Sequence, residues 1–285
     1  MSSPIDELLD IMQRLRDPES GCPWDQQQTF QSLIPHTLEE AYEVAEAIEN
    51  GAVDELADEL GDLLFQVVFY ARIAEEEGLF DFARICRNIS EKLVRRHPHV
   101  FADEKIASVA EQSEAWERLK ARERAQKSTT EENRILDGVS HALPALTRAL
   151  KLQKRAARVG FDWPDIQGVL AKVEEEIREV EAELAEPVVA DRMQHEIGDL
   201  LFAVVNLARH TGMDPETALR QANRRFESRF AHVEDVLKGP DGFAQAGLDE
   251  METAWQGAKD KEKCKEKDNA HVHRNVASLT GRGDN

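Results

Sequence analysis

Strand signals are missing from this 285-residue chain. No run of alternating β-branched residues stands between turn dipeptides, which argues against a sheet-based fold. Cysteine is scarce. Cys22, Cys86 and Cys264 are odd in number and far apart, and no metal or redox spacing joins them. The expectation is reduced thiols in a cytoplasmic protein. Long apolar runs are absent too. The most apolar stretch, Leu63 to Ile73, is interrupted by Gln66 and Arg72 and is too short to span a bilayer. The start, Met1-Ser2-Ser3-Pro4-Ile5-Asp6-Glu7, lacks the basic and apolar regions of a signal peptide. Positive charge is in deficit, with 36 Lys and Arg against 56 Asp and Glu and a net charge of -20. Such a chain repels a polyanion, so no nucleic-acid polymer is expected as a partner. A small anionic substrate stays open if metal ions lie between it and the carboxylates.

Helical spacing is what the chain has in place of strands. Apolar residues recur at 38, 41, 42, 45 and 48, and Gly51 stands where a C-cap belongs. Leu56 to Ala74 reads as a longer helix, apolar almost all round after Leu60, which predicts burial.

The chain also repeats itself. Leu38-Glu39-Glu40-Ala41-Tyr42-Glu43 and Glu59-Leu60-Gly61-Asp62-Leu63-Leu64-Phe65 lie in the first half. Val173-Glu174-Glu175-Glu176-Ile177-Arg178-Glu179 and Glu196-Ile197-Gly198-Asp199-Leu200-Leu201-Phe202 lie in the second. Lys92 through Val100 echoes Arg225 through Val233, and Ala115-Trp116 echoes Ala254-Trp255, in the same order. The expected fold is all-α, two tandem helical-bundle repeats over 1–126 and 141–260. A polar linker is expected over 127–140, and a disordered tail over 261–285, where apolar periodicity ends.

Glu40 and Glu43 are three residues apart, as are Glu59 and Asp62, so each pair shares a helix face. Two neighbouring helices can aim all four acids at one point. Four anions together are prohibitive unless cations neutralise them, and hard oxygen ligands select Mg²⁺ or Mn²⁺. The rival reading is a solvated acidic face, since Glu39 to Glu49 lie opposite the apolar stripe. Asp62 and Asp199 decide between them. Each opens a nearly all-apolar run, where a carboxylate needs a partner. Gly61 and Gly198 sit inside helices at a cost of roughly 1 kcal/mol relative to Ala, which points to close helix approach or room for a ligand. A di-iron bundle needs Glu-x-x-His, which occurs nowhere. Lys92, Arg95 and Arg96 in the first half, and Asn223, Arg225, Phe226 and Arg229 in the second, suit a triphosphate or ordinary surface ion pairing. For Trp116 and Trp255, composition favours a place in the core over base stacking.

Glu-Glu-x-x-Glu followed by Glu-x-Gly-Asp-Leu-Leu-Phe resembles the all-α NTP pyrophosphohydrolases. With Gly21-Cys22-Pro23-Trp24-Asp25, Arg95-Arg96-His97-Pro98-His99-Val100-Phe101 and Val159-Gly160-Phe161-Asp162-Trp163, the chain resembles the bacterial two-domain MazG family over residues 4 to 260. The resemblance implies a homodimer of four-helix units. It implies Mg²⁺ dependence, with Mn²⁺ as a substitute, and hydrolysis of many NTPs and dNTPs to NMP and pyrophosphate. It assigns metal binding to Glu176, Glu179, Glu196 and Asp199, and in the first half to Glu40, Glu43, Glu59 and Asp62. Nucleotide contacts fall on Lys172, Val173, Glu174, Glu175, Glu176, Asp199, on Arg192, Met193, Gln194, His195, and on Asn223, Arg225, Phe226, Glu227, Ser228, Arg229 and Trp255. Glu175 and Glu176 are the expected catalytic glutamates. Arg225 departs from the pattern, where lysine is common. Two alternatives remain at this level: a narrow dUTP or phosphoribosyl-ATP pyrophosphatase, and a non-catalytic nucleotide sensor or helical adaptor.

Overall fold

The computed structural model describes residues 3–102, 108, 111–112, 115–116, 119, 134–185 and 187–263. All regular structure among them is helical. The chain divides into two compact units, Met1–Lys127 and Ser128–Asn285.

The first unit contains α1 (Pro4–Leu15), α2 (Pro23–Gln27), α3 (Ile34–Asn50), α4 (Val53–Glu76), α5 (Phe82–Arg96) and α6 (Pro98–Phe101). Ser3 caps α1 in a capping box with Asp6, and Pro4 occupies the first turn, where its missing N–H is harmless. Gly51 ends α3 in the left-handed region, with φ 68°. Helices α1, α3 and α5 each pack on α4. The core joins Met12, Leu33, Val68, Phe69 and Ile73, with Phe30, Phe65 and Tyr70 around it. Gly21 is required where the chain crosses the end of α1: a Cβ there would stand 2.4 Å from the Leu15 carbonyl oxygen.

The second unit contains α7 (Ala145–Arg158), α8 (Ile166–Ala185), α9 (Ala190–His210), α10 (Pro215–Leu237), α11 (Pro240–Gln245) and a helix over 248–263, here α12. Helices α7, α8 and α10 pack on α9. Leu150, Val169, Ala203, Val205, Val233, Ala254 and Ala258 are buried.

Several expectations need correction. Part of the expected linker is a built piece of the second unit. Val139 is buried, and Arg155 donates to the carbonyl oxygens of Asp137 and Gly138. The remainder, 127–133, lies outside the described residues. The expected tail also starts too early, because α12 continues to 263 and Glu262 forms an ion pair with Arg229 at 2.7 Å. Residues 264–285 lie outside the described residues.

The apolar stripe of α3 does not face the core. Leu38, Tyr42 and Ile48 are exposed, while Ala47 is buried and Glu40 half-buried. The helix turns its acids toward α4 and its stripe outward. In α4, Gln66, Val68, Phe69, Ala71, Ile73 and Ala74 are buried, but Leu60, Leu64 and Val67 are exposed. Ile197, Leu201 and Val204 hold the same places in α9 and are exposed as well. Periodicity shows which residues share a face; it does not show whether that face meets its own chain or another.

Candidate metal and nucleotide site

In the second unit, oxygens of Glu176 on α8 and of Glu196 and Asp199 on α9 all lie within 4.8 Å of one another. Glu176 and Glu179 sit on adjacent turns of α8, and Glu196 and Asp199 on adjacent turns of α9. The packing of the two helices brings the pairs together. Glu176 is 4% exposed, and its Oε2 has no hydrogen-bond partner among the described residues. A buried carboxylate oxygen without a partner is destabilising by about 1–3 kcal/mol or more. Its other oxygen meets Lys172 Nζ at 2.6 Å, and the same ammonium meets Glu175 at 2.7 Å. Those two hydrogen bonds, first to Glu175 and then to Glu176, hold the Lys172 pKa well above its ordinary value. Glu179 lies outside the tightest group. Its pKa is raised, first by burial and then by repulsion from Glu176.

The first unit repeats the arrangement with Glu40, Glu43 and Glu59. Asp62 stays outside the tightest group, yet its charge is felt. Burial and then Asp62 and Glu43 raise the Glu40 pKa, and Glu59 is raised by burial and then by Glu43 and Asp62. Both sets are all-oxygen and anionic, the donor chemistry of Mg²⁺ and Mn²⁺, and both carry carboxylates that their neighbours push toward protonation. The residues therefore fit a divalent cation. The solvated-face alternative does not suit Glu40 and Glu176, which point inward. A Cβ on Gly61 or Gly198 would meet nothing within 4 Å. Close helix approach within a unit is thus not the reason for these glycines; open space beside the acids is what remains.

The expected nucleotide-contact residues fall into two places. Lys172, Val173, Glu174 and Glu175 precede Glu176 on α8, and Arg192, Met193, Gln194 and His195 lie in the first turns of α9. Arg192 Nε meets Glu183 of α8 at 3.0 Å. Asn223, Arg225, Phe226, Glu227 and Ser228 are exposed on α10, and Arg229 is half-buried beside them. Trp255 on α12 is half-buried rather than in the core. Its ring lies 5.3 Å from that of Phe226, and the Arg229 guanidinium lies over it at 5.7 Å. Phe230 stacks on Phe226 at 5.9 Å and on Phe243 at 5.4 Å, which extends the aromatic row. Trp116 is exposed too, with its ring 5.7 Å from His97.

Sequence reasoning missed Glu262, which accepts from Arg229 Nε and Nη2 at 2.9 and 2.7 Å. A signal was present, since Glu262 is seven residues beyond Trp255 and so shares its helix face. It also missed the reason for the Phe161-Asp162-Trp163 motif. Asp162 accepts from Arg209 and from His210 at the end of α9, and tethers the loop there. Hydrogen bonding from Arg209 lowers its pKa to about 2.

Comparison with known proteins agrees with this geometry. A family model described as the MazG nucleotide pyrophosphohydrolase domain matches residues 28–101 and 165–234, once in each unit. The chain is 54% identical over 261 residues to the nucleoside triphosphate pyrophosphohydrolase of Escherichia coli (strain K12), covering 90% of this chain and 98% of that one. It is 42% identical over 257 residues to the nucleoside triphosphate pyrophosphohydrolase/pyrophosphatase MazG of Thermotoga maritima, covering 90% and 95%. With both acid clusters inside the matched segments, the chain belongs to the MazG nucleotide pyrophosphohydrolase family.

Proposed function

We propose that the chain is a magnesium-dependent nucleoside triphosphate pyrophosphohydrolase of broad substrate range, converting NTP or dNTP and water to NMP or dNMP and pyrophosphate. The observation that carries this reading is the convergence of Glu176, Glu196 and Asp199 beside Lys172. The nucleoside triphosphate pyrophosphohydrolase activity of the Escherichia coli and Thermotoga maritima relatives supports it.

Glu176, Glu179, Glu196 and Asp199 hold Mg²⁺, and Glu40, Glu43, Glu59 and Asp62 form the corresponding set in the first unit. A divalent ion held by these acids would supply positive charge to the triphosphate and a water of lowered pKa. Glu175, one residue before the buried Glu176, would take a proton from the attacking water or orient it. Lys172 is already an ammonium at the edge of the cluster and meets phosphate oxygens. Arg225 and Arg229 offset charge on the leaving pyrophosphate. Phe226 and Trp255 offer the base aromatic faces, and Asn223, Glu227 and Ser228 line the same side of α10. Val173, Glu174 and the stretch Arg192, Met193, Gln194, His195 border the acids.

The active form is a homodimer. The support is the stripe Leu60, Leu64, Val67 and its repeat Ile197, Leu201, Val204, exposed in one chain although spaced as a helix-packing seam. No described helix is long and apolar enough to cross a membrane.

The test is pyrophosphate release from all eight common NTPs and dNTPs, with Mg²⁺ and with EDTA. Release from several nucleotides with NMP as first product, lost with EDTA and restored by Mg²⁺ or Mn²⁺, is expected. ADP as the first product from ATP, or full activity without metal, would overturn the mechanism. Turnover of one nucleotide alone would replace the broad reading by a narrow one.

A further inference from the structure

Gln66 lies seven residues after Glu59 and four after Asp62 on α4, so the three share one ridge of that helix. The side chain is 5% exposed. Its Nε2 lies 3.5 Å from Glu40 Oε1, and its own Oε1 is enclosed without a hydrogen-bond partner among the described residues. An apolar side chain at this depth would leave nothing unsatisfied. The second unit has one, because Ala203 follows Asp199 by four residues and is buried. The repeat therefore folds without an amide at this place, and Gln66 belongs to the first acid cluster rather than to the architecture.

An amide suits a hard-cation site in two ways. Its N–H can orient a ligand carboxylate as an outer partner, and its carbonyl oxygen is a neutral donor of the kind hard cations and their waters accept. Resting on the cation reading of the first cluster, we infer that Gln66 is a built part of a first-unit divalent-cation site, orienting Glu40 and offering its carbonyl oxygen to the ion's shell. The second cluster differs in kind. There a divalent ion must displace or share Lys172, which already meets Glu176. In the first, the group in the wall is uncharged. The first site accordingly holds Mn²⁺ more tightly than the second.

Mn²⁺ titration of the full chain without nucleotide tests this, with free Mn²⁺ read by its electron paramagnetic resonance signal and folding by circular dichroism. Two classes of site are expected. Glu40→Ala removes the tighter class and Glu176→Ala leaves it. Gln66→Met weakens it about tenfold, the range seen when an outer partner of a ligand is lost. Gln66→Glu keeps an oxygen in place but not the N–H toward Glu40; it retains the tighter class at reduced affinity and decides the matter if the Met variant does not fold. Wild-type Mn²⁺ binding by Gln66→Met, or loss of the tighter class from a folded Gln66→Glu, would overturn the role of Gln66 while leaving the site itself standing. Unchanged binding by Glu40→Ala would remove the cation reading of the first cluster altogether.

Discussion

In the second unit an ammonium reaches into the acid cluster, with Lys172 at 2.6 Å from the buried Glu176. In the first unit His36 holds the corresponding place and lies 3.7 Å from Glu39, outside the cluster, while Gln66 closes the wall beside Glu40. The following helix differs as well. Helix α10 runs unbroken from Pro215 to Leu237, whereas α5 stops at Arg96 and α6 begins at Pro98. Proline has no N–H to donate and pushes the preceding residue out of the helical region, and His97 has φ -125° and ψ 56°. Ala231 stands in that place in the second unit, so the helix continues through Phe230 to Leu237, and its Phe226 meets Trp255. The duplication kept the acids in both copies but diverged in their cationic and aromatic surroundings, and those surroundings are what a nucleotide needs.

The comparison breaks first on the acids. Glu176→Ala is expected to lower pyrophosphate release by at least about a hundredfold, since loss of a ligand should exceed the roughly 10–100-fold seen for an outer partner. Glu40→Ala should keep most of the turnover. Steady-state assays with circular dichroism as a folding control check this. Equal losses would mean that both units turn over, and the opposite ranking would reverse the assignment.

The helix break is the next lever. Ala231→Pro should destabilise the second unit by about 3 kcal/mol or more, because it places proline inside α10. The mirror change, Pro98→Ala, removes the restriction between α5 and α6 and should raise helicity. Denaturant unfolding and far-ultraviolet circular dichroism measure both. An Ala231→Pro chain as stable as the parent would show that the continuity of α10 does not matter.

The loop tethers differ too. Arg16, the C-cap of α1, holds the first loop through the carbonyl oxygens of Asp25 and Gln28, while the second loop offers its own carboxylate, Asp162, to Arg209 and His210. The Asp162 pKa is depressed from 3.8 to about 2, so its contribution is present above the unfolded value. It is lost as pH falls through the folded one. Asp162 is exposed and the tether is screened by solvent, so Asp162→Asn should cost about 1 kcal/mol or less at neutral pH, and the difference from the parent should shrink between about pH 4 and pH 2. A difference that persists unchanged at pH 2 would assign the tether to something other than charge.

Local spacing made much of this legible. The Glu40/Glu43 and Glu59/Asp62 pairs declare a shared face because three residues nearly complete a turn, and the repeat declares the partner helix. Nothing local says which face of α3 meets α4. Leu38, Tyr42 and Ile48 read as a core stripe, yet they are exposed, and it is Glu40 and Glu43 that approach Glu59 of α4. Burial depends on neighbours that a single helix does not encode. Lys172 is expected only as a nucleotide contact implied by the family resemblance, and its contact with Glu176 depends on rotamers that spacing does not encode. Gln66 was hidden because one polar residue in an apolar run looks like an interruption.

The smallest expected effect concerns the end of the chain. Composition places the tail boundary at Lys261, yet α12 continues to 263 and its Glu262 accepts both Nε and Nη2 of Arg229. Trp255 and Glu262 are two turns apart, so one helix face offers Arg229 an aromatic surface and a carboxylate together. The pair is partly exposed, and pairs of that kind contribute about 0.2–1 kcal/mol. A truncation after Asp260 should accordingly keep the fold and raise KM for NTP by roughly two- to fivefold, with kcat changed less, because Arg229 stays in the protein and over Trp255 but loses its carboxylate anchor. Glu262→Ala in the full chain should reproduce that shift, and a truncation after Lys263 should not show it. Identical KM values for the 260 and 263 truncations would mean that Glu262 does not position Arg229 and that the boundary drawn from composition was adequate for function. A chain ending at 260 that unfolds would instead make the last turn of α12 part of the second unit's core.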